Sequence, residues 1–301
     1  MRPMSASVTS RRGDRAGSRR WGAGACLGAA LSGLPALAAP RLGPTECRAA
    51  PARRDALQAI GARGEIVLAS GTRAVLGSLR WPEEASVAAG AESWLAARLG
   101  RPLEVVVRGE ADRWGRVRID AALADEAADL AGGLVAAGLA HVDAGEGDVL
   151  CRPALLRLEE AARGRGLGVW RRPVREAKDG PGLRAEAGRF VVAQGRIRNV
   201  GERASRTYLD FVRRGEDGLT VTVSKRTWRR LQEHGFHASG RTGRLVRVRG
   251  IVEIWRGPVL DIASAEMIEV LEIGGLEIGG LKTDGAEPPG AGPERERALR
   301  R

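Results

Sequence analysis

The stretch Asp112-Arg113-Trp114-Gly115-Arg116 is a short polar segment with an aromatic residue at its centre. Aliphatic residues dominate both sides of it, in 103–107 and in 117–121. Short aliphatic runs on both sides of a segment that contains Asp and Gly are typical of two strands joined by a turn. We therefore predict strands over 103–107 and 117–121, connected through this turn.

Further motifs occur in a fixed order around the turn. The run 75–83 is a predicted strand that ends in Pro82-Glu83, and a Gly-rich run follows the turn at 132–140. Glu159 and Arg163 come next, before Gly166-Leu167-Gly168-Val169-Trp170. In this order the motifs resemble the thermonuclease (SNase-like) family. The resemblance covers about 47–271 and implies an OB-like nuclease fold, in which helices pack on a small β-barrel.

The first domain is predicted over 47–170. Apolar runs on both sides of Ser70-Gly71 predict a hairpin within 66–76, and apolar residues at helical spacing predict a helix over 85–99 that Gly100 ends. Two more helices are predicted over 125–137 and 153–163. Trp170 is predicted to pack in the core of this domain.

A second domain is predicted over 189–272, after a linker at 171–188 that is rich in Arg, Pro, Gly and Asp. Its predicted elements are strands at 190–198, 206–212 and 219–223, a helix at 226–233, and strands at 245–254, 259–262 and 268–271. This is the element order of an OB-fold. The predicted fold class is mainly β with α, as two OB-like barrels. Residues 273–301 are predicted to form a disordered tail.

Residues 1–38 have the pattern of a signal peptide, because Arg residues precede an apolar run that ends in small residues. The predicted destination is the periplasm or the exterior, and 39–46 form a short N-terminal segment. A retained membrane anchor is the alternative. An oxidising compartment would allow Cys47 and Cys151 to form a disulfide, the alternative being two separate thiols. With three His residues and no Cys-x-x-Cys motif, a zinc site is not predicted.

The positive charge is concentrated in the second domain. The chain carries a net charge of +12. Residues 181–256 contain 17 Lys and Arg against 7 Asp and Glu, whereas residues 39–180 contain 21 against 20. An excess of cations in one segment favours a polyanionic partner.

The family resemblance implies a phosphodiesterase site with calcium, a Glu beside the attacking water, and two Arg on the phosphate. Glu83 and Arg116 match the Glu and the second Arg. The first Arg falls on Val75, a ligand carboxylate falls on Arg80, and the metal-binding segment falls on 62–65, so no metal site is predicted. Arg73 and Glu65 are near enough in sequence to substitute. In the alternative, Glu83 caps a turn and Arg116 pairs with Asp112.

The second domain combines cations with aromatic residues. OB-folds bind single strands by stacking bases on aromatic rings and holding the backbone along a cationic groove. The predicted nucleic-acid-binding residues are Tyr208, Phe211, Lys225, Arg226, Arg229, Arg230, Arg247, Arg249 and Trp255. In the alternative interpretation, the aromatic residues are core and the Arg side chains are only solvated.

Together these patterns predict an exported, thermonuclease-like protein that binds nucleic acid, single strands being favoured, with an incomplete phosphodiesterase site and no cofactor. One alternative is an active nuclease that hydrolyses DNA or RNA and uses calcium. The other is a non-catalytic protein that binds acidic polymers of the cell envelope.

Overall fold

The strands of the first predicted domain curl into a closed barrel. A computed structural model of the protein describes residues 47–145, 149–236, 242–272 and 275–278. The strands of this part are β1 (Arg53–Ile60), β2 (Glu65–Leu68), β3 (Arg73–Leu76), β4 (Leu79–Arg80), β5 (Pro102–Arg108) and β6 (Val117–Ala122). The barrel closes in the order β1-β2-β3-β6-β5. The two strands predicted around the Asp-Arg-Trp-Gly-Arg turn are confirmed as β5 and β6, which pair antiparallel.

Aliphatic side chains fill the barrel. On β2, Ile66 and Leu68 point inward, whereas Glu65 and Val67 alternate with them and are only partly buried. The other strands contribute their inward residues in the same way: Leu57, Ala74, Leu76, Leu103, Val105, Ile119 and Ala121. Burial of one such large aliphatic side chain contributes about 1.5–3 kcal/mol. Because inward and outward residues alternate along each strand, the residues that fill the barrel also determine which side chains of β2 and β3 lie on its outer surface.

Helices cover the barrel, as predicted. They are α1 (Ala85–Ala96), α2 (Leu130–Ala136) and α3 (Leu155–Gly164), and the short strand β7 (His141–Val142) lies between α2 and α3. Val87, Ala91 and Leu95 of α1 recur at four-residue spacing and are buried. α2 begins later than the predicted residue 125, because the Asp129 side chain caps it by accepting a hydrogen bond from the Gly132 amide at 2.9 Å.

The two Gly-rich motifs contact each other. Gly168 has φ +51°, and a Cβ atom at this position would lie 2.1 Å from the carbonyl oxygen of Gly138. The Val169 amide donates a hydrogen bond of 2.9 Å to the same oxygen. This contact leads the chain into Trp170, which is 6% exposed and packs with Val192. It is buried as predicted, but it lies in a small cluster with Ala162 and Val192 rather than in the core of the barrel.

The remaining strands form one large mixed sheet. The elements are β8 (Arg175–Glu176), α4 (Gly180–Arg184), β9 (Phe190–Arg196), β10 (Asn199–Glu202), β11 (Arg206–Asp210), β12 (Thr220–Ser224), α5 (Lys225–Glu233), β13 (Leu245–Ile254), β14 (Pro258–Ile262), β15 (Ile268–Glu272) and β16 (Gly275–Ile278). The sheet order is β10-β11-β12-β14-β13-β15-β16, and β9 pairs with both β13 and β8. β12 and β14 run parallel, and the other neighbours on this path pair antiparallel. The prediction of a mainly β fold with helices is confirmed.

Two predicted boundaries differ from the structure. The segment 171–188, predicted as a linker, contains β8 and α4 and buries Ala177 and Leu183 completely. The composition of this segment favours a loop, but burial of these two side chains stabilises regular structure in it. Within the predicted tail, β16 extends the sheet. The rest of the tail, and the predicted signal peptide, lie outside the described residues. No helix among the described residues is long and apolar enough to cross a membrane.

Residues 47–170, here called the first lobe, and residues 171–278, the second lobe, pack together as one unit. Five charged residues lie where they meet: Glu159 and Glu160 of α3, Arg247 and Arg249 of β13, and Glu269 of β15. We call this set the interlobe ion cluster. Arg249 bonds both Glu159 and Glu269, and Arg247 bonds Glu160 at 2.9 Å and Glu269 at 3.3 Å. The two lobes are thus joined by buried charges as well as by apolar contacts.

The predicted disulfide between Cys47 and Cys151 is confirmed, with Cα atoms 5.2 Å apart. It fastens the start of the described chain beside the end of β5. There, the Ala50 amide donates to the Val107 carbonyl at 2.9 Å, and Arg108 donates to the Cys47 carbonyl at 2.9 Å. The disulfide and these two hydrogen bonds therefore hold the segment 47–50 against β5.

Candidate functional site

A cleft of about 1150 Å³ opens on the first lobe. The loop before β2, the strand β3, the turn between β5 and β6, and the segment after β4 form its walls. Six Arg side chains line it: Arg63, Arg73, Arg80, Arg108, Arg116 and Arg118. Both residues that matched the family site, Glu83 and Arg116, lie along this one cleft.

Two Arg and two carboxylates form a continuous array in the cleft. Arg73 donates to both carboxylate oxygens of Glu65, at 2.8 and 3.0 Å. Arg116 donates to Asp112 at 2.9 Å, and its nearest nitrogen lies 3.9 Å from Glu65. Antiparallel pairing of β2 and β3 places Arg73 diagonally across from Glu65. Arg73 and Glu65, considered from sequence as substitutes for a phosphate-binding Arg and a ligand carboxylate, thus pair with each other.

The turn between β5 and β6 presents Trp114 to solvent. One carboxylate oxygen of Asp112 accepts hydrogen bonds from the Trp114 and Arg116 amides, both at 2.9 Å. Arg73 donates to the Trp114 carbonyl at 3.1 Å. The Trp114 ring is left 53% exposed, with the guanidinium carbons of Arg113 and Arg116 at 4.0 and 4.8 Å from its centre. The cleft thus has a fixed aromatic surface beside two cations.

Hydrogen bonding keeps both carboxylates of the array ionised. The hydrogen bonds from Arg73 lower the pKa of Glu65. Partial burial raises the pKa of Asp112, but hydrogen bonds from Arg116 and from the Trp114 amide outweigh it, so that this pKa is also lowered. The same bond to Glu65 raises the pKa of Arg73. The array therefore holds two positive and two negative charges across the neutral pH range.

Glu83 lies apart from this array and is shared with the second lobe. Its carboxylate lies 3.6 Å from Arg80 and 3.7 Å from Arg189, and it accepts a hydrogen bond of 3.3 Å from the Phe190 amide. Arg80 also lies 4.0 Å from Asp143. The Arg80 guanidinium therefore lies between the carboxylates of Glu83 and Asp143. At the position of Arg80 the family resemblance implies a ligand carboxylate.

The carboxylates of the cleft do not fit calcium. Glu65, Asp112 and Glu83 each face an Arg, and Asp120 accepts hydrogen bonds of 2.9 and 2.7 Å from Arg108. Calcium needs several oxygen ligands at one point. Across residues 47–145, 149–236, 242–272 and 275–278, no group of three or more His, Cys, Asp or Glu could hold a metal ion. Guanidinium groups take the place of a cation in this site.

Arg247 and Arg249 were predicted to face nucleic acid, and the structure corrects this. They do share one face of β13, but that face is covered by α3, and the two residues are 3% and 2% exposed. Both belong to the interlobe ion cluster. Phe211 is a second correction, since it is buried in the core of the second lobe.

The other predicted residues of the second lobe do not form one groove. Tyr208 is half-buried on one face of β11, whereas Lys225 donates to Thr207, which points to the opposite face, at 3.2 Å. Lys225, Arg226, Arg229 and Arg230 do come together on α5. Trp255 is exposed in the turn between β13 and β14. Because β14 pairs with β12 in parallel, this turn lies near the start of β12, whereas α5 follows the end of β12, about 13 Å away along that strand.

A scan against protein-family models matches this chain to no family, and a search of curated proteins also finds no match.

Sequence reasoning missed Trp114, Arg63 and Arg118 as site residues. Trp114 carries a signal, because an aromatic residue inside a tight polar turn has little core to enter. Arg63 and Arg118 carry none, since an Arg on a loop or strand is usually only solvated. Strand pairing sets their place along the cleft: β6, which holds Arg118, and β2, which Arg63 precedes, both pair with β3.

Proposed function

We propose that the protein binds single-stranded nucleic acid in the cleft of the first lobe and does not cut it. Trp114 is the observation that carries the proposal: an exposed indole beside Arg113 and Arg116, at a deep cleft lined by Arg. Stacking of a base on an aromatic ring together with guanidinium contacts to phosphate is the usual way in which single strands are bound. The wider proposal is that of an exported, thermonuclease-like protein built from two OB-like barrels.

Three guanidinium groups are available to phosphate: Arg63 and Arg118 line the cleft, and Arg113 lies against the Trp114 ring. Their side chains are exposed and make no hydrogen bond or ion pair with any residue that the structure describes. Arg63 has φ 56° and ψ 35°, the left-handed conformation that costs a non-glycine residue about 1 kcal/mol or more. Strain of this kind is concentrated at functional sites, which supports a role for Arg63 at the rim of the cleft.

The same geometry supports binding rather than hydrolysis. Glu83 is engaged by Arg80, Arg189 and the Phe190 amide, so it would have to leave these partners to orient a water. Arg80 carries a positive charge where the family site carries a ligand carboxylate. We therefore expect a labelled oligonucleotide to remain intact with calcium and with chelator. Calcium-dependent cleavage that Glu83→Gln removes would instead establish the nuclease alternative.

The binding proposal predicts a salt-dependent loss in a cleft variant. Arg63, Arg113 and Arg118 are replaced together by Gln, and fluorescence anisotropy measures the affinity for labelled oligothymidine between 50 and 200 mM salt. Each lost phosphate contact reduces the slope of log K against log salt by about 0.7, because fewer counterions are released. We expect a slope shallower by about 2 and an affinity at low salt reduced by roughly 10-fold or more.

The matched control removes the same charge elsewhere on the first lobe. Arg48, Arg54 and Arg157 are exposed and do not line the cleft. Their triple Gln variant should keep most of the affinity and of the slope. Equal losses in the two variants would show that net charge alone attracts the strand. Equal affinity for dextran sulfate and oligothymidine, unaffected by Trp114→Leu, would favour the envelope-polymer alternative.

A further inference from the structure

A second, smaller pocket lies where the two lobes meet. Its volume is about 170 Å³, and the residues that line it include Trp81, His141, Trp170 and Phe190. The His141 ring packs edge-on against Trp170 with ring centres 4.8 Å apart, and lies 5.4 Å from Phe190. Three of the four residues come from the first lobe and Phe190 from the second. The pocket therefore exists only when the lobes are joined.

The rim of this pocket consists of ion pairs. Arg189 pairs with Glu83 at 3.7 Å, and Arg172 pairs with Glu84 at the same distance. Arg175 pairs with Glu186. Arg172 and Arg189 remain largely exposed. An aromatic interior with charged groups at its mouth is suited to a ring that carries a phosphate on a flexible link.

The small pocket lies beside the cleft and shares a wall with it. Trp81, Pro82 and Glu83 line both cavities. Arg80, which lines the cleft, places its guanidinium carbon 5.7 Å from the centre of the Phe190 ring. A strand whose phosphates follow the cleft thus reaches the mouth of the pocket at Glu83.

We propose that the interlobe pocket receives one pyrimidine base of the bound strand, an inference that rests on the proposed function. The size favours a single ring, because an apolar cavity of about 150 Å³ accepts benzene. The rings that line the pocket, among them Trp81, Trp170 and Phe190, offer aromatic surfaces to a planar ring. A pyrimidine is a planar aromatic single ring of this size, which a purine or a saturated ring is not.

The test compares oligothymidine with an abasic oligonucleotide that has the same number of phosphates. Wild-type protein should bind the abasic strand at least 10-fold more weakly, because that strand has no base to stack on an aromatic ring. Two variants act on the pocket in opposite ways: Phe190→Leu removes a ring, and Val174→Phe fills the space. Each should reduce binding of oligothymidine several-fold without changing binding of the abasic strand. Leu99→Ala, which alters an exposed apolar residue that lines neither cavity, is the control and should change neither.

Free thymidine separates this proposal from the proposed function. It has no phosphate, so saturation-transfer NMR should detect its binding in wild type and in the Arg63, Arg113 and Arg118 triple variant, but not in Val174→Phe. If the cleft variant weakens oligothymidine binding and neither pocket variant does, the pocket proposal is wrong and the proposed function is retained. Absence of oligonucleotide binding would overturn the function, and the strand role of the pocket with it. Thymidine binding would then identify a site for a free pyrimidine nucleoside. Thermal unfolding of each variant confirms that it folds.

Discussion

Replacement of Arg249 by Met is expected to lower the free energy of unfolding by about 3–5 kcal/mol. The Arg249 guanidinium is fully enclosed and bonds Glu159 and Glu269, which are themselves buried. Met fills a similar volume but leaves both carboxylates in the interior without a counter-ion. Urea-induced unfolding of the whole chain, followed by circular dichroism, measures the change.

Arg256→Met is the matched control, because Arg256 is an exposed Arg of the same lobe. Its effect should stay within about 0.5 kcal/mol. Arg247→Met should fall between the two, since Arg247 shares Glu269 but its other partner, Glu160, is only partly buried. A loss below 1 kcal/mol for Arg249→Met would show that the interlobe ion cluster contributes little to stability.

The same cluster predicts an acid dependence. Burial raises the pKa of Glu159, but the charge of Arg249 and the contact with His141 outweigh it and lower the pKa from 4.5 to about 2. The folded state therefore binds a proton less readily than the unfolded state. The resulting stability is complete above about pH 4.5 and is lost as the pH falls toward 2, by about 3 kcal/mol. Wild type and Arg249→Met should converge in stability over this range, as measured by urea unfolding at successive pH values.

Removal of the disulfide is expected to lower the free energy of unfolding by about 4 kcal/mol. Cys47 and Cys151 are separated by 104 residues, and a cross-link over a loop of this length restricts the unfolded chain by about that amount. The double variant Cys47→Ser, Cys151→Ser is compared with wild type in urea unfolding. Hydrogen exchange should also show faster exchange of the Ala50 amide, which bonds to the Val107 carbonyl beside the disulfide.

The control for the disulfide is the reducing agent. Dithiothreitol should bring wild type to the stability of the double variant and should leave the variant unchanged. If wild type under reducing conditions keeps its full stability, the native contacts around 47–50 hold that segment without the bond.

Sequence reasoning succeeded where the signal is local. The turn at Asp112, the strands on both sides of it and the helix α1 follow from turn residues and from spacing that neighbouring residues share. The disulfide was predictable because only two Cys follow the predicted leader. The Glu65 and Arg73 pair was within reach, since both residues lie close to positions that the family pattern marks.

Sequence reasoning failed where distant parts of the chain meet. The alternation in Val246-Arg247-Val248-Arg249 correctly placed both Arg on one face, but it could not show what covers that face. The cover is α3, and Glu159 lies 90 residues before Arg249. The prediction of a linker over 171–188 was wrong for the same reason. Leu183 is buried by contacts with the rest of the second lobe, which the polar composition of its own segment does not reveal.

The interlobe ion cluster also limits how this chain can change through descent. A lineage that lost the positive charge at Arg249 would retain two buried carboxylates, so substitutions at Glu159 and Glu269 would have to follow. A second lobe transferred to another protein by recombination would keep Glu269 but lose Glu159 and Glu160, so Arg247 and Arg249 would be uncovered or would need new partners. The two halves are therefore expected to have been inherited together.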